Sequence, residues 1–116
     1  MRWLQSIELS GAHVVAVGEG SKKNMTGGDL QAAISEHADT IAGMFYFSGG
    51  GLNILSIGEV MDVIRRNHTL DIPVVVDAAA RLPPVSNLTL FVENYGVDCV
   101  LYPGGKMMRG PQSSGL

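Results

Sequence analysis

Short, nearly unbroken apolar runs alternate along this chain with stretches whose apolar residues recur at helical spacing, and that alternation leaves few folds open. The runs are His13-Val14-Val15-Ala16-Val17, Thr40 to Phe47, Pro73-Val74-Val75-Val76-Asp77 and Cys99-Val100-Leu101-Tyr102. They are short and rich in β-branched or aromatic residues, which marks strands rather than helices. Between them lie three helical patterns. Leu30, Ala33 and Ile34 share a face behind Asp29, whose carboxylate suits a helix N-terminus. Ser56 and Glu59 have capping-box spacing, and Ile57, Val60, Met61 and Ile64 follow as one helical stripe. Arg65 and Arg66 fall in that helix's last turn, where cations favour the helix dipole. Leu88, Phe91, Val92 and Tyr95 form the third stripe, opened by Ser86 or Asn87 and closed by Gly96. The β-α-β-α-β-α-β order predicts an α/β domain with a mostly parallel sheet and helices on both faces.

Composition narrows the function classes. At 116 residues the chain is one domain, and 46% hydrophobic against 16% charged residues argues for a packed core rather than disorder. A net charge of −3 argues against a nucleic-acid partner. A single cysteine, Cys99, removes any disulfide framework or Cys-rich zinc site, and its place in the fourth apolar run predicts a small core residue. His13, His37 and His68 lack ligand spacing to one another or to Cys99, so no metal site is expected. No apolar run is long enough to span a membrane and no signal-peptide core follows Met1, so the expected compartment is the cytoplasm.

In parallel α/β sheets, ligands bind beyond the C-terminal ends of the strands. Those ends carry Gly18-Glu19-Gly20, Ser48-Gly49-Gly50-Gly51, Asp77-Ala78-Ala79-Ala80 and Pro103-Gly104-Gly105-Lys106. Two familiar readings fail. Lys23 stands where a dinucleotide fingerprint needs its third glycine, and Lys22-Lys23 reads as a solvated loop pair. Met107 after Gly105-Lys106 lacks the hydroxyl of a P-loop, and Val100 occupies its first glycine position. The informative pair is Asp77 and Lys106, each just past an apolar strand with one helix between them. Geometry leaves two readings open: an acid capping the next segment beside a surface lysine, or a pyridoxal phosphate site. In the latter the lysine amine forms a Schiff base with the cofactor aldehyde and the acid partners the pyridine nitrogen.

The strings Pro73-Val74-Val75-Val76-Asp77-Ala78-Ala79-Ala80-Arg81-Leu82-Pro83-Pro84, Asn87-Leu88, Gly96-Val97-Asp98 and Gly104-Gly105-Lys106-Met107-Met108-Arg109-Gly110-Pro111-Gln112-Ser113-Ser114-Gly115 together resemble one family. They are similar to the selenocysteine synthase-like group of fold-type-I pyridoxal phosphate enzymes, and most similar to its D-glucosaminate-6-phosphate ammonia-lyase-like members. The likeness is weak from Ile7 and strong from Ile72 onward. It implies Lys106 as the catalytic, cofactor-bearing lysine, Asp77 as the partner of the pyridinium nitrogen, and Gly104 and Gly105 as the turn that presents the lysine. Ser48, at the end of the second apolar run, is a further candidate for cofactor contact. Arg109 and Gln112 fall in a loop that in this family lies near substrate and a neighbouring subunit. At the position before Gly-Gly-Lys the family commonly has a serine, whose hydroxyl can bind the cofactor phosphate. Pro103 has neither that hydroxyl nor an N–H.

The resemblance implies that residues 1–116 are part of the large, pyridoxal phosphate-binding domain of the aspartate aminotransferase-like fold, without its upstream phosphate cradle and C-terminal small domain. The implied reaction is α,β-elimination and deamination of an amino sugar acid phosphate or related amino acid, in a homo-oligomeric parent enzyme. A selenium transferase-like activity of the same group is the nearest alternative. A non-catalytic truncated α/β domain, or a receiver-like or flavodoxin-like binding domain, is the reading from another class.

Overall fold

The structure, a computed structural model, describes residues 2–17, 25–49 and 55–116. Its elements run α1 (Arg2–Leu9), α2 (Gly27–Glu36), β1 (Met44–Phe47), α3 (Ile57–Arg66), β2 (Val74–Asp77), α4 (Asn87–Tyr95) and β3 (Cys99–Leu101). The strands form a parallel sheet in the order β1-β2-β3, with Phe47, Asp77 and Leu101 on one rung. The chain is thus a small α/β domain, as the alternation predicts.

Local chemistry explains where the helices begin and end. Thr26 and Asp29 make a reciprocal capping box at α2, and Ser56 and Glu59 make another at α3. Each satisfies backbone N–H groups that a first helical turn leaves without partners. Hydrogen bonds to the Ser56 backbone and hydroxyl hold the Glu59 carboxyl below its ordinary value. Gly96 ends α4 in the left-handed conformation at φ 72°, where a side chain is strained. Between α2 and α3, the amides of Gln31 and Asn67 bond reciprocally at 3.0 and 2.8 Å.

The core lies on one side of the sheet. Val74 and Val76 of β2 are 0% exposed and pack with Leu30 and Ile34 of α2, Val60, Met61 and Val63 of α3, and Phe91 of α4. Alternation along a strand sends their neighbours to the opposite side. There Phe45 is 38% and Leu101 43% exposed, and Cys99 is exposed as well. The described helices α2, α3 and α4 all contribute to the core on the Val74–Val76 side. Cys99 therefore is not a core residue, because the half-buried Val100 takes the inward position on β3.

Two further expectations change. Residues 13–17 form no strand; they run without ladder partners, with Val15 exposed. β-Branched composition favours a strand only where a neighbouring edge supplies hydrogen bonds and packing. In α4 the stripe is narrower than its spacing suggests, since Phe91 is buried but Val92 is exposed. Among the described residues no helix is long and apolar enough to cross a membrane.

Two measurements check these local devices. A β-carbon at Gly96 meets nothing closer than Arg65 Nη2 at 3.9 Å, so Gly96→Ala should cost only backbone strain, about 1 kcal/mol in denaturant melts. A lowered Glu59 carboxyl stabilises the fold above its ordinary value of 4.5, and that contribution disappears as pH falls through the lower folded value. Ser56→Ala should therefore lower the melting temperature at neutral pH, with the gap from the parent chain narrowing in acid.

Candidate functional site at the C-terminal edge of the sheet

The three strands end together, and the residues beyond them are tied down by backbone hydrogen bonds. Ser48 is 2% exposed; its N–H and its hydroxyl both donate to the Asp77 carbonyl, at 3.0 and 2.8 Å. The end of β1 is thereby fastened to the end of β2. On the other side, the Ala78 N–H donates to the Leu101 carbonyl at 3.0 Å. The Asp77 carboxylate accepts from the Ala79 N–H at 2.9 Å, which holds its side chain against the turn that leaves β2.

Past β3 the chain makes a hairpin with its own last residues. Tyr102 and Leu116 exchange backbone bonds at 2.8 and 2.9 Å, Gly104 N–H donates to Ser114 at 2.7 Å, and Pro103 bridges Gly115 in antiparallel fashion. Lys106 sits in the turns that close this hairpin, where its carbonyl accepts from the Arg109 N–H at 3.0 Å. The two glycines before it are needed for close approach. A β-carbon on Gly104 would collide with Ser114 Oγ, and one on Gly105 would lie 2.8 Å from Gln112 Cα. Arg109 adopts a left-handed φ of 53°, and Arg109 and Gln112 are both exposed.

This arrangement brings Lys106 and Asp77 to the same edge. Lys106 Nζ donates to the Ala79 carbonyl at 3.5 Å, and Asp77 holds the N–H of that same residue. The two charged groups meet Ala79 rather than each other; among the described residues the ion pair is Arg65 with Asp62. Lys106 also lines an open cleft of about 370 Å³ with Ala78, Ala79, Ala80, Tyr102 and Met107. Asp77 is not on the cleft wall, which consists there of the Ala78–Ala80 backbone and methyl groups. Burial pushes the Tyr102 phenol up, and its hydroxyl donates to the Asn87 carbonyl at the start of α4.

The sequence-predicted residues thus divide. Lys106, Asp77, Gly104 and Gly105 gather at one edge. Ser48 is there too, but its hydroxyl proton is committed to the Asp77 carbonyl, so it positions β2. Arg109 and Gln112 belong to the hairpin turns. Gly18-Glu19-Gly20, Lys22-Lys23 and Gly50-Gly51 lie outside the described residues. Sequence reasoning missed Ala79, which links acid to amine through its backbone; the small-residue run Ala78-Ala79-Ala80 was the available signal. It also missed the tail hairpin, because Ser113-Ser114-Gly115-Leu116 carries no strand pattern.

Replacing Gly105 by Ala should loosen the Lys106 turn without unfolding the sheet. The overlap with Gln112 is worth roughly 1–3 kcal/mol. Amide exchange should accelerate at Tyr102, Gly104 and Leu116 and stay unchanged at Val74 and Val76.

The chain matches no protein-family model, no curated protein and no solved structure in the comparisons made.

Proposed function

We propose that this chain is the part of a pyridoxal phosphate-dependent enzyme that carries the attachment lysine and the acid for the pyridine nitrogen, in a lyase similar to the D-glucosaminate-6-phosphate ammonia-lyase-like members of the selenocysteine synthase-like group. The observation that carries the reading is the convergence of Asp77 and Lys106 on Ala79, at the edge of a parallel sheet where α/β domains bind ligands.

The residues on the cleft wall fit the point of attachment and a flat ring, with the acid for the ring nitrogen set outside the wall. Lys106 is an exposed primary amine on the wall of a cleft whose Ala78–Ala80 side offers nothing larger than methyl groups to a flat ring. A carboxylate stands one residue behind that wall, held by a backbone N–H. Pro103 contributes no N–H to a phosphate group, so that position supplies no phosphate contact.

When bound, pyridoxal phosphate supplies an aldehyde and an electron-accepting ring. Lys106 Nζ would be the amine that holds the aldehyde, and the same amine would serve as the base toward a substrate proton. Asp77 would be the acid that partners the ring nitrogen. Ser48 and the Ala79 N–H keep that acid from turning away, the first by fixing its backbone and the second by holding its carboxylate. The reaction class is elimination with loss of ammonia from an amino sugar acid phosphate or related amino acid; a selenium transferase of the same group would use the same lysine and acid. The homo-oligomeric state expected from the resemblance and the cytoplasmic location expected from the sequence belong to this proposal.

Borohydride reduction of the chain after incubation with pyridoxal phosphate, followed by peptide mass spectrometry, tests the reading. A phosphopyridoxyl group on Lys106 is the expected product. It should be lost in Lys106→Ala and equally in Lys106→Arg, because a guanidinium cannot form the imine. Modification of Lys22 or Lys23 with Lys106 untouched rejects the assignment.

A further inference from the structure

A second cleft, of about 250 Å³, opens on the same edge of the sheet between the end of β1 and the starts of α3 and α4. Tyr46, Ser56, Arg81, Asn87, Phe91 and Tyr95 are among the residues that form it. It is distinct from the Lys106 cleft: Ala78, Ala79, Ala80 and Leu82 border the first, whereas Arg81, between them, turns to the second.

Arg81 is exposed but anchored at its backbone and at its guanidinium. Its N–H donates to Ala78 at 3.0 Å, and its carbonyl accepts from the Asn87 side-chain amide at 2.6 Å. Guanidinium Nη2 donates to the carbonyl of the buried Ser48. One nitrogen of the fork is thus anchored, and the group is held in place with further N–H donors remaining. Among the described residues no carboxylate lies within salt-bridge distance of it. Asp77 is held by Ala79, and Glu59, an acid whose charge acts on Tyr46, accepts from the Ser56 N–H and hydroxyl at 2.9 and 2.8 Å.

The cation's field reaches across the cleft. Burial raises the Tyr46 phenol, Arg81 opposes that rise, and Glu59 adds to it. The Tyr46 hydroxyl itself donates to the Leu55 carbonyl at 2.9 Å, which fixes that wall. Tyr46, Phe91 and Tyr95 offer ring surface, and Phe91 and Tyr95 stand 6.4 Å apart between centroids. A preorganised, unpaired guanidinium beside apolar ring walls is a receptor for an oxyanion on a small organic body.

We propose that the Arg81 cleft is a binding site for a small molecule carrying a carboxylate or a phosphate, separate from the cleft at Lys106. The site stands whether or not Lys106 carries a cofactor, since the two clefts use different side chains.

Phenylglyoxal modification, followed arginine by arginine by mass spectrometry on the 116-residue chain, tests it without a substitution. Saturating phosphoglycerate should slow modification of Arg81 by about tenfold, as one charge-assisted pair would. Arg65 and Arg109 should react as before. Phosphoglycerate also carries a carboxylate, so gluconate separates the sources: protection by both assigns a carboxylate-accepting site, and protection by phosphoglycerate alone a phosphate site. A Lys106→Gln chain should keep the protection. Unchanged Arg81 reactivity with both anions, equal slowing of every arginine, or loss of protection in Lys106→Gln overturns the proposal.

Discussion

β2 is the element on which everything else depends. It is the central strand of three, and Val74 and Val76 are 0% exposed beneath α2, α3 and α4. Each buried valine contributes on the order of 1.5–3 kcal/mol relative to an exposed one. The Val74 N–H is matched by the Asp98 carboxylate at 2.7 Å, which ties the strand's first residue to the turn before β3. At its other end the Asp77 carbonyl takes both donors of Ser48. A strand pinned at both ends delivers Asp77 and the Ala78–Ala80 turn to a fixed place, and both clefts are built around that turn.

That edge has two kinds of wall. The Lys106 side is made of alanine methyl groups, backbone and an amine on a tight hairpin turn. The Arg81 side is made of aromatic rings and a guanidinium held by the Ser48 carbonyl just past β1. One short segment after β2 serves both, because successive residues in an extended or turning chain point in different directions. Small side chains at positions 78–80 leave room on the first side, and the long arginine that follows reaches across to the second.

Much of this was legible in the residues. The Val74-Val75-Val76 run, the Ser56/Glu59 capping box and the helix stop at Gly96 are local signals, fixed by propensity and by unsatisfied backbone groups. The placement of Asp77 and Lys106 on one edge followed from parallel strands joined by a crossover. What stayed hidden depends on partners distant in sequence. Residues 13–17 have the composition of a strand but no ladder to join. Cys99 and Val100 are both apolar enough for the core, and only the register of β3 against β2 decides which faces the helices. The tail that folds back on Tyr102 does so by backbone bonds and close glycine packing, neither of which leaves a hydrophobic pattern. Ala79 matters through its peptide group, which no side-chain reading finds.

The central claim is that Asp77, though set behind the cleft wall, is the acid that serves a ring attached at Lys106. The most direct measurement is the NMR chemical shift of the ring nitrogen in isotope-labelled pyridoxal phosphate bound to the chain and to Asp77→Asn. A protonated ring nitrogen is expected in the parent chain and an unprotonated one in Asp77→Asn, with Lys106 still the point of attachment in both. An identical nitrogen shift in the two proteins would contradict it.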